Sequence, residues 1–169
     1  EWLLKEVGLD AARFFYLLKS LNTQMEFDVE LAKERTAKSP VFYIQYAYAR
    51  ICSILKKYTA ERTEEKRKVS LIIRPSLYRF LIHPAELELI KQLIRFPEIV
   101  EDTAKDYQVQ RLPQYAMDLA TVFHRFYRDC RVISENEDLT QARLLLVSSV
   151  KIVLKNTLDL MGISAPEKM

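Results

Sequence analysis

The run Phe42-Tyr43-Ile44-Gln45-Tyr46-Ala47-Tyr48-Ala49-Arg50 carries residues suited to one kind of chemistry. Tyr43, Tyr46 and Arg50 stand at i, i+3 and i+7, so a helix here puts two phenols and a guanidinium on one face. Such a face can stack unpaired bases and hold phosphates, each good base–aromatic stack being worth roughly 1–3 kcal/mol. Ala47 and Ala49 keep the neighbourhood thin. The same residues also satisfy a plainer reading, a core face whose hydroxyls reach the rim. A second cluster, Phe123, Phe126 and Tyr127 followed by Arg128 and Arg131, is open to the same two readings.

The sequence holds no catalytic constellation. Its two histidines, His83 and His124, have no ligand partner at metal spacing. His83 precedes a proline and reads as part of a turn, and His124 as a structural or surface residue of a helix. Cys52 and Cys130 lie among apolar residues at helical spacing and read as core packing. Their distance apart fits reduced thiols of a cytoplasmic protein. Glu61, Glu64 and Glu65 are interleaved with Arg and Lys, which suits exposed ion pairs better than acid–base work. Gly8 and Gly162 are the only glycines in 169 residues, too few for a phosphate-cradling loop or for a sheet's hairpins.

Charge adds a partner class. The formal net charge is +3, but Arg50 to Arg79 holds nine basic residues against three acidic ones, leaving the remainder net acidic. One-signed clustering suits a polyanion, and it equally suits a solvated helical surface. No apolar run approaches the roughly 20 residues of a membrane span, and nothing at the start has the layout of a signal peptide. The chain opens on Glu1 rather than Met, so a fragment is expected.

Helices must position these side chains. Phe14, Phe15, Leu17 and Leu18 predict a helix over Asp10 to Lys19, and Asp28 caps a short one running to about Arg35. Ser39-Pro40 is a start signal for a helix reaching about Tyr58. Glu61 to Ser70 is too charged for core and reads as a helix extension or mobile loop, with Arg74-Pro75 as punctuation. His83-Pro84 and Phe96-Pro97 open helices over about Pro84–Arg95 and Pro97–Tyr107. Apolar residues at three- and four-residue steps predict a long helix from about Leu112 to Ile133. Asp138 and Gln141 form a capping box for the last helix, which Gly162 closes. The expected fold is all-α, a helical bundle with short connections.

At these residues the sequence resembles a known family. Ser39-Pro40-Val41-Phe42-Tyr43-Ile44-Gln45-Tyr46-Ala47-Tyr48-Ala49-Arg50 is similar to the N-P-V-Y-Y-V-Q-Y-A-H-A-R pattern of arginyl-tRNA synthetases. Glu6 to Phe14 and Phe27 to Ala32 look like the end of that family's catalytic region. Leu112-Pro113-Gln114-Tyr115 and Phe123 to Val132 resemble its penultimate helix, and Ala142-Arg143-Leu144 the start of its last. Gly162 to Met169 looks like its usual terminus, so Met169 is expected to be the natural end.

The resemblance implies an anticodon-binding bundle of the class I synthetase, DALR type over 39–169, with 1–38 as the end of the catalytic region and its connecting helices. It implies arginine tRNA and the catalytic domain of the same chain as partners, with neither DNA nor membrane, in the cytoplasm. The HIGH and KMSKS signatures are absent, so no cofactor is expected in this fragment; ATP with Mg belongs to the parent's catalytic domain, and aminoacylation by the fragment alone is not expected. By position, Tyr43, Tyr46, Arg50, Tyr127, Cys130 and Met169 match anticodon-binding residues, expected to converge near one end of the bundle. Lys56, Lys57 and Arg131 are candidate phosphate contacts. Tyr48 stands where the family more often has His, Phe42 where Tyr is frequent, and Gln141-Ala142-Arg143-Leu144 replaces the literal D-A-L-R. The alternative from another class is a helical protein–protein interaction module whose aromatic faces dock partner helices.

Overall fold

A computed structural model describes residues 2–20, 22–34, 36, 38–60 and 75–169. The described residues are helices and their connections, as expected of an all-α chain. In order they are α1 (Trp2–Val7), α2 (Leu9–Leu17), α3 (Val29–Lys33), α4 (Pro40–Ala60), a 3-10 turn (Pro75–Phe80), α5 (Pro84–Ile94), α6 (Phe96–Asp106), α7 (Arg111–Asp129) and α8 (Glu137–Leu160). The expected extension or loop at Glu61 to Ser70 lies outside the described residues, as do Arg62, Lys66, Arg67, Lys68 and Arg74 of the basic stretch.

The start signals act as their chemistry dictates. Asp28 caps α3 by accepting the Leu31 N–H at 2.9 Å. α4 begins at Pro40, and the Tyr43 N–H bonds the Ser39 carbonyl at 3.0 Å. His83 does more than turn the chain: its Nδ1 accepts the Ala85 N–H at 3.2 Å, while Glu86 reaches back to the His83 N–H at 2.8 Å. That reciprocal pair is a capping box with histidine in the serine position.

α1 and the 3-10 turn are not among the expected elements, and two boundaries differ from expectation for a plain physical reason. The cap of α8 is Asn136, whose side chain accepts the Leu139 N–H at 3.0 Å, and not Asp138, which lies inside the first turn. Asn136 has the extended backbone that a cap requires, and Asp138 instead adds negative charge where the helix dipole favours it. α7 stops at Asp129, four residues short of Ile133, with Cys130 extended at φ −123°. Extended backbone puts residues two apart on the same side, so Cys130 and Val132 both bury, at 3% and 5% exposure. A continuing helix would turn Val132 away from Cys130.

The core lies among α4, α5, α7 and α8. α7 buries Leu112, Tyr115, Ala116, Leu119, Ala120, Phe123 and Phe126 along one stripe, while Arg125 and Arg128 stay in solvent. Phe123 and Phe126 are fully buried, each worth about 1.5–3 kcal/mol of transfer free energy. Phe14 of α2 and Ala32 of α3 join this same apolar cluster, so residues on either side of position 38 share one core.

The end of α8 is closed by Gly162 at φ 66°. Its N–H bonds the Asp159 carbonyl and the Ile163 N–H bonds that of Leu158, both at 2.9 Å, with Leu158 and Ile163 buried together. This Schellman closure turns the tail back across the bundle. There Arg13 donates to the Gly162 carbonyl, Asp10 accepts the Ser164 N–H at 3.1 Å, and Gln45 donates to Asp10 at 2.9 Å and to the Ser164 carbonyl at 3.0 Å.

Candidate nucleic-acid interface

α4 and α7 pack so that two aromatic rows meet. Tyr46 of α4 and Tyr127 of α7 are each 37% exposed, and both flank Arg50. The Arg50 guanidinium carbon lies 5.0 Å from each ring centroid. It also donates to the Tyr46 hydroxyl. Hydrogen bonding to Tyr127, then to Tyr46, raises the Arg50 pKa above its ordinary value, so the charge is permanent. Tyr127 stacks on buried Phe123 at 6.3 Å and 25°, and Tyr46 stacks on Phe42 at 6.5 Å and 8°. The result is a ledge of rings with a fixed cation between two of them, its outer members half open to solvent.

Tyr43 shares the helical face of Tyr46 but packs against the core, its ring 4.7 Å from that of His124. His124 joins the two: it also stacks on Tyr46 at 5.9 Å and 24°. Burial lowers its pKa, the Tyr43 carbonyl opposes that, and the Arg50 charge lowers it further. Neutral imidazole therefore stands among the rings, with Nε2 buried and unpaired within the chain. Sequence patterning assigns His124 to structure or surface; its place in the cluster follows from its lying three residues before Tyr127, on the same face. Phe42, outside the predicted contact set, is the ring that extends the ledge.

Beside Tyr127 a hollow of about 480 Å³ opens, lined by Ile54 and Lys57 of α4 and by Tyr127, Cys130, Arg131 and Val132. Lys57 and Arg131 are exposed at its rim, and Arg128 adds a third cation, paired to Asp129 at 2.7 Å. Cys130 is buried at its wall, and that burial raises the thiol pKa. The segment that follows the early end of α7, Cys130 to Ile133, supplies one wall of this hollow. Met169, half exposed, lines a second hollow of about 550 Å³ with Asp10, Ser39, Phe42 and Gln45.

The structure thus brings Tyr46, Arg50 and Tyr127 into contact and ties Tyr43 to them through His124. It places Cys130, Lys57 and Arg131 in one hollow with Tyr127, and Met169 in another across Phe42. Lys56 is exposed on α4 and lines neither hollow. Among the described residues, no cluster of three His, Cys, Asp or Glu side chains could hold a metal ion. Nor, among them, is any helix long and apolar enough to cross a membrane.

Comparison with known proteins places the chain in a family. The chain is similar to the arginine–tRNA ligase of Dehalococcoides mccartyi, 49% identical over 166 residues, covering 98% of this chain and 28% of that protein. It is 44% identical over 169 residues to that of Symbiobacterium thermophilum, covering 29% of it. It therefore spans less than a third of the length of these relatives. Among solved structures, the arginyl-tRNA synthetase of Thermus thermophilus superposes with a TM-score of 0.76 at 31% identity, over 98% of this chain and 27% of that one. The Plasmodium falciparum arginyl-tRNA synthetase does so with a TM-score of 0.77 at 28% identity, over 99% and 28%. The family model of the DALR anticodon binding domain matches residues 44–169, the span that holds Tyr46, Arg50, Tyr127 and the hollow beside them, and the chain belongs to that family.

Proposed function

We propose that this chain is the anticodon-gripping part of an arginyl-tRNA synthetase and holds the anticodon loop of arginine tRNA against the Tyr46–Arg50–Tyr127 ledge. The observation that carries this reading is the ledge itself. Two half-exposed tyrosines share one guanidinium, beside a hollow rimmed by Lys57 and Arg131. Aromatic faces take unstacked bases whatever their sequence, and the adjoining cations hold the backbone between them.

In this reading Tyr46 and Tyr127 stack bases, with Tyr43 backing Tyr46 through His124. Cys130 shapes the hollow that receives one base, and Met169 closes the second recess beside Phe42. Arg50 and Arg131, with Lys56 and Lys57 along α4, meet phosphates. ATP, Mg2+ and arginine belong to the catalytic domain of the same parent chain, in the cytoplasm, and this part contributes recognition of the RNA.

The test is a titration of the chain with an arginine tRNA anticodon stem-loop, beside one with an altered central anticodon base, at two salt concentrations. Salt-sensitive binding that prefers the arginine loop is expected. Equal binding of both loops would leave a basic helical domain without anticodon recognition. Binding of neither loop would overturn the reading in favour of a protein-docking bundle.

A further inference from the structure

The wall of the hollow beside Tyr127 is irregular backbone, and irregular backbone needs a partner for its polar groups. At Cys130 the helical ladder ends: its N–H still bonds the Phe126 carbonyl at 2.8 Å, but its backbone is extended. Order resumes at Ser134, whose N–H bonds the Thr140 hydroxyl at 3.0 Å. Between these points Arg143 Nη1 donates to the Arg131 carbonyl at 2.8 Å. That bond fixes the peptide plane joining Arg131, at the rim, to Val132, in the core.

Arg143 can do this because its other edge is anchored. Its Nε donates to Glu86 Oε1 at 2.6 Å, and Glu86 is fully buried. The other carboxylate oxygen of Glu86 accepts the His83 N–H that opens α5. The side chain of Arg143 is 12% exposed, so neither end swings freely in solvent. Neutralising Glu86 needs only a cation; reaching a carbonyl on another segment at the same time needs the planar fork of a guanidinium.

We propose that Arg143, anchored on Glu86, is a positioning residue for RNA recognition: it holds the Arg131 peptide so that Cys130 and Arg131 present a fixed wall to an unstacked nucleotide. This inference rests on the anticodon-loop reading. Arg143 itself touches no RNA. Its effect runs through the order of the Cys130–Ile133 segment, on the same logic by which supporting hydrogen bonds hold a binding group in place.

The experiment compares the unsubstituted chain with Arg143→Lys and Tyr127→Ala. Lysine keeps a cation on Glu86 but lacks the second arm. Two quantities are read: affinity for the arginine anticodon stem-loop over a salt series, and the N-ethylmaleimide labelling rates of Cys130 and Cys52, resolved by peptide mass spectrometry. Arg143→Lys is expected to weaken the stem-loop by about tenfold, the value of one charge-assisted hydrogen bond. Its salt slope should stay unchanged, because Arg143 meets no phosphate. Cys130 labelling should accelerate while Cys52, buried elsewhere on α4, keeps its rate.

Unchanged Cys130 labelling would overturn the proposal, since the segment would not depend on Arg143. Faster Cys130 labelling with undiminished affinity would overturn it as well, and so would equal acceleration at Cys52, which marks a general loosening of the fold. Failure of the unsubstituted chain to bind the stem-loop, or undiminished binding by Tyr127→Ala, would instead overturn the anticodon reading or its site. The labelling result stands apart from either.

Discussion

Arg50 on α4 reaches across to Tyr127 on α7, its guanidinium carbon 5.0 Å from the ring centroid, so the two helices share one cation at the surface. The phenol ring stacks on Phe123, and the Arg50 guanidinium lies over it. On the proposed reading, a base stacking on it would meet a ring already held in place, and little ordering entropy would oppose the contact.

Replacing Tyr127 by Ala should therefore weaken binding of the arginine anticodon stem-loop by roughly 1–3 kcal/mol. Its exposure of 37% means the fold should tolerate the change. Fluorescence titration with a parallel thermal melt checks both; undiminished affinity would remove Tyr127 from the site.

Lys56 and Lys57 extend the cationic surface along α4, both exposed. Changing both to Ala should flatten the dependence of log affinity on log salt, by about 0.7 for each single-strand phosphate that a lysine neutralises. Lys57 lines the hollow and Lys56 does not, so Lys57→Ala alone should account for most of the change. An unaltered slope in the double variant would assign these lysines to surface solvation.

His124 gives a pH signature of stability. Burial lowers its pKa in the folded state below the ordinary 6.5. The unfolded chain then binds the proton more readily than the folded one, so stability is full above about pH 6.5 and falls as the pH drops below it. Urea midpoints measured from pH 7.5 to 5 should decline, and His124→Asn should remove part of that decline. A parallel decline in both proteins would show that other groups govern it.

The start of α8 offers a direct comparison of two neighbours. Asn136→Ala should cost about 0.5–2 kcal/mol, because it removes the acceptor for the Leu139 N–H. Asp138→Ala, which removes only a favourable first-turn charge, should cost less, about 0.3–1 kcal/mol. Chemical denaturation of the pair separates them, and the reverse order would restore Asp138 as the cap.

Much of this architecture can be read in the residues. Proline after a polar residue opens α4 and α5 where expected, since Pro at the first helical position needs no amide partner. The i, i+3, i+7 pattern places Tyr46 and Arg50 in contact. Patterning does not reveal where α7 ends, because the apolar residues Cys130 and Val132 bury equally well when a helix gives way to extended backbone. Nor does it assign His124, since a histidine carries no sign of whether it will lie under a tyrosine or in water. Arg143 is visible only as part of the Ala142-Arg143-Leu144 resemblance; its tie to Arg131 joins residues 12 apart through an irregular segment that no period describes.

Asp10 and Ser164 are 154 positions apart, and their hydrogen bonds fasten the tail over α2 and α4. A ribosome makes Asp10 well before Ser164, so the carboxylate and its neighbour Arg13 wait for their partners while every helix from α3 to α8 is synthesised. Any product that stops within α8 leaves Asp10 and Gln45 without Ser164, and Arg13 without the Gly162 carbonyl. The recess beside Phe42 is lined from both ends of the numbering, by Asp10 and Gln45 on one side and by Met169 on the other.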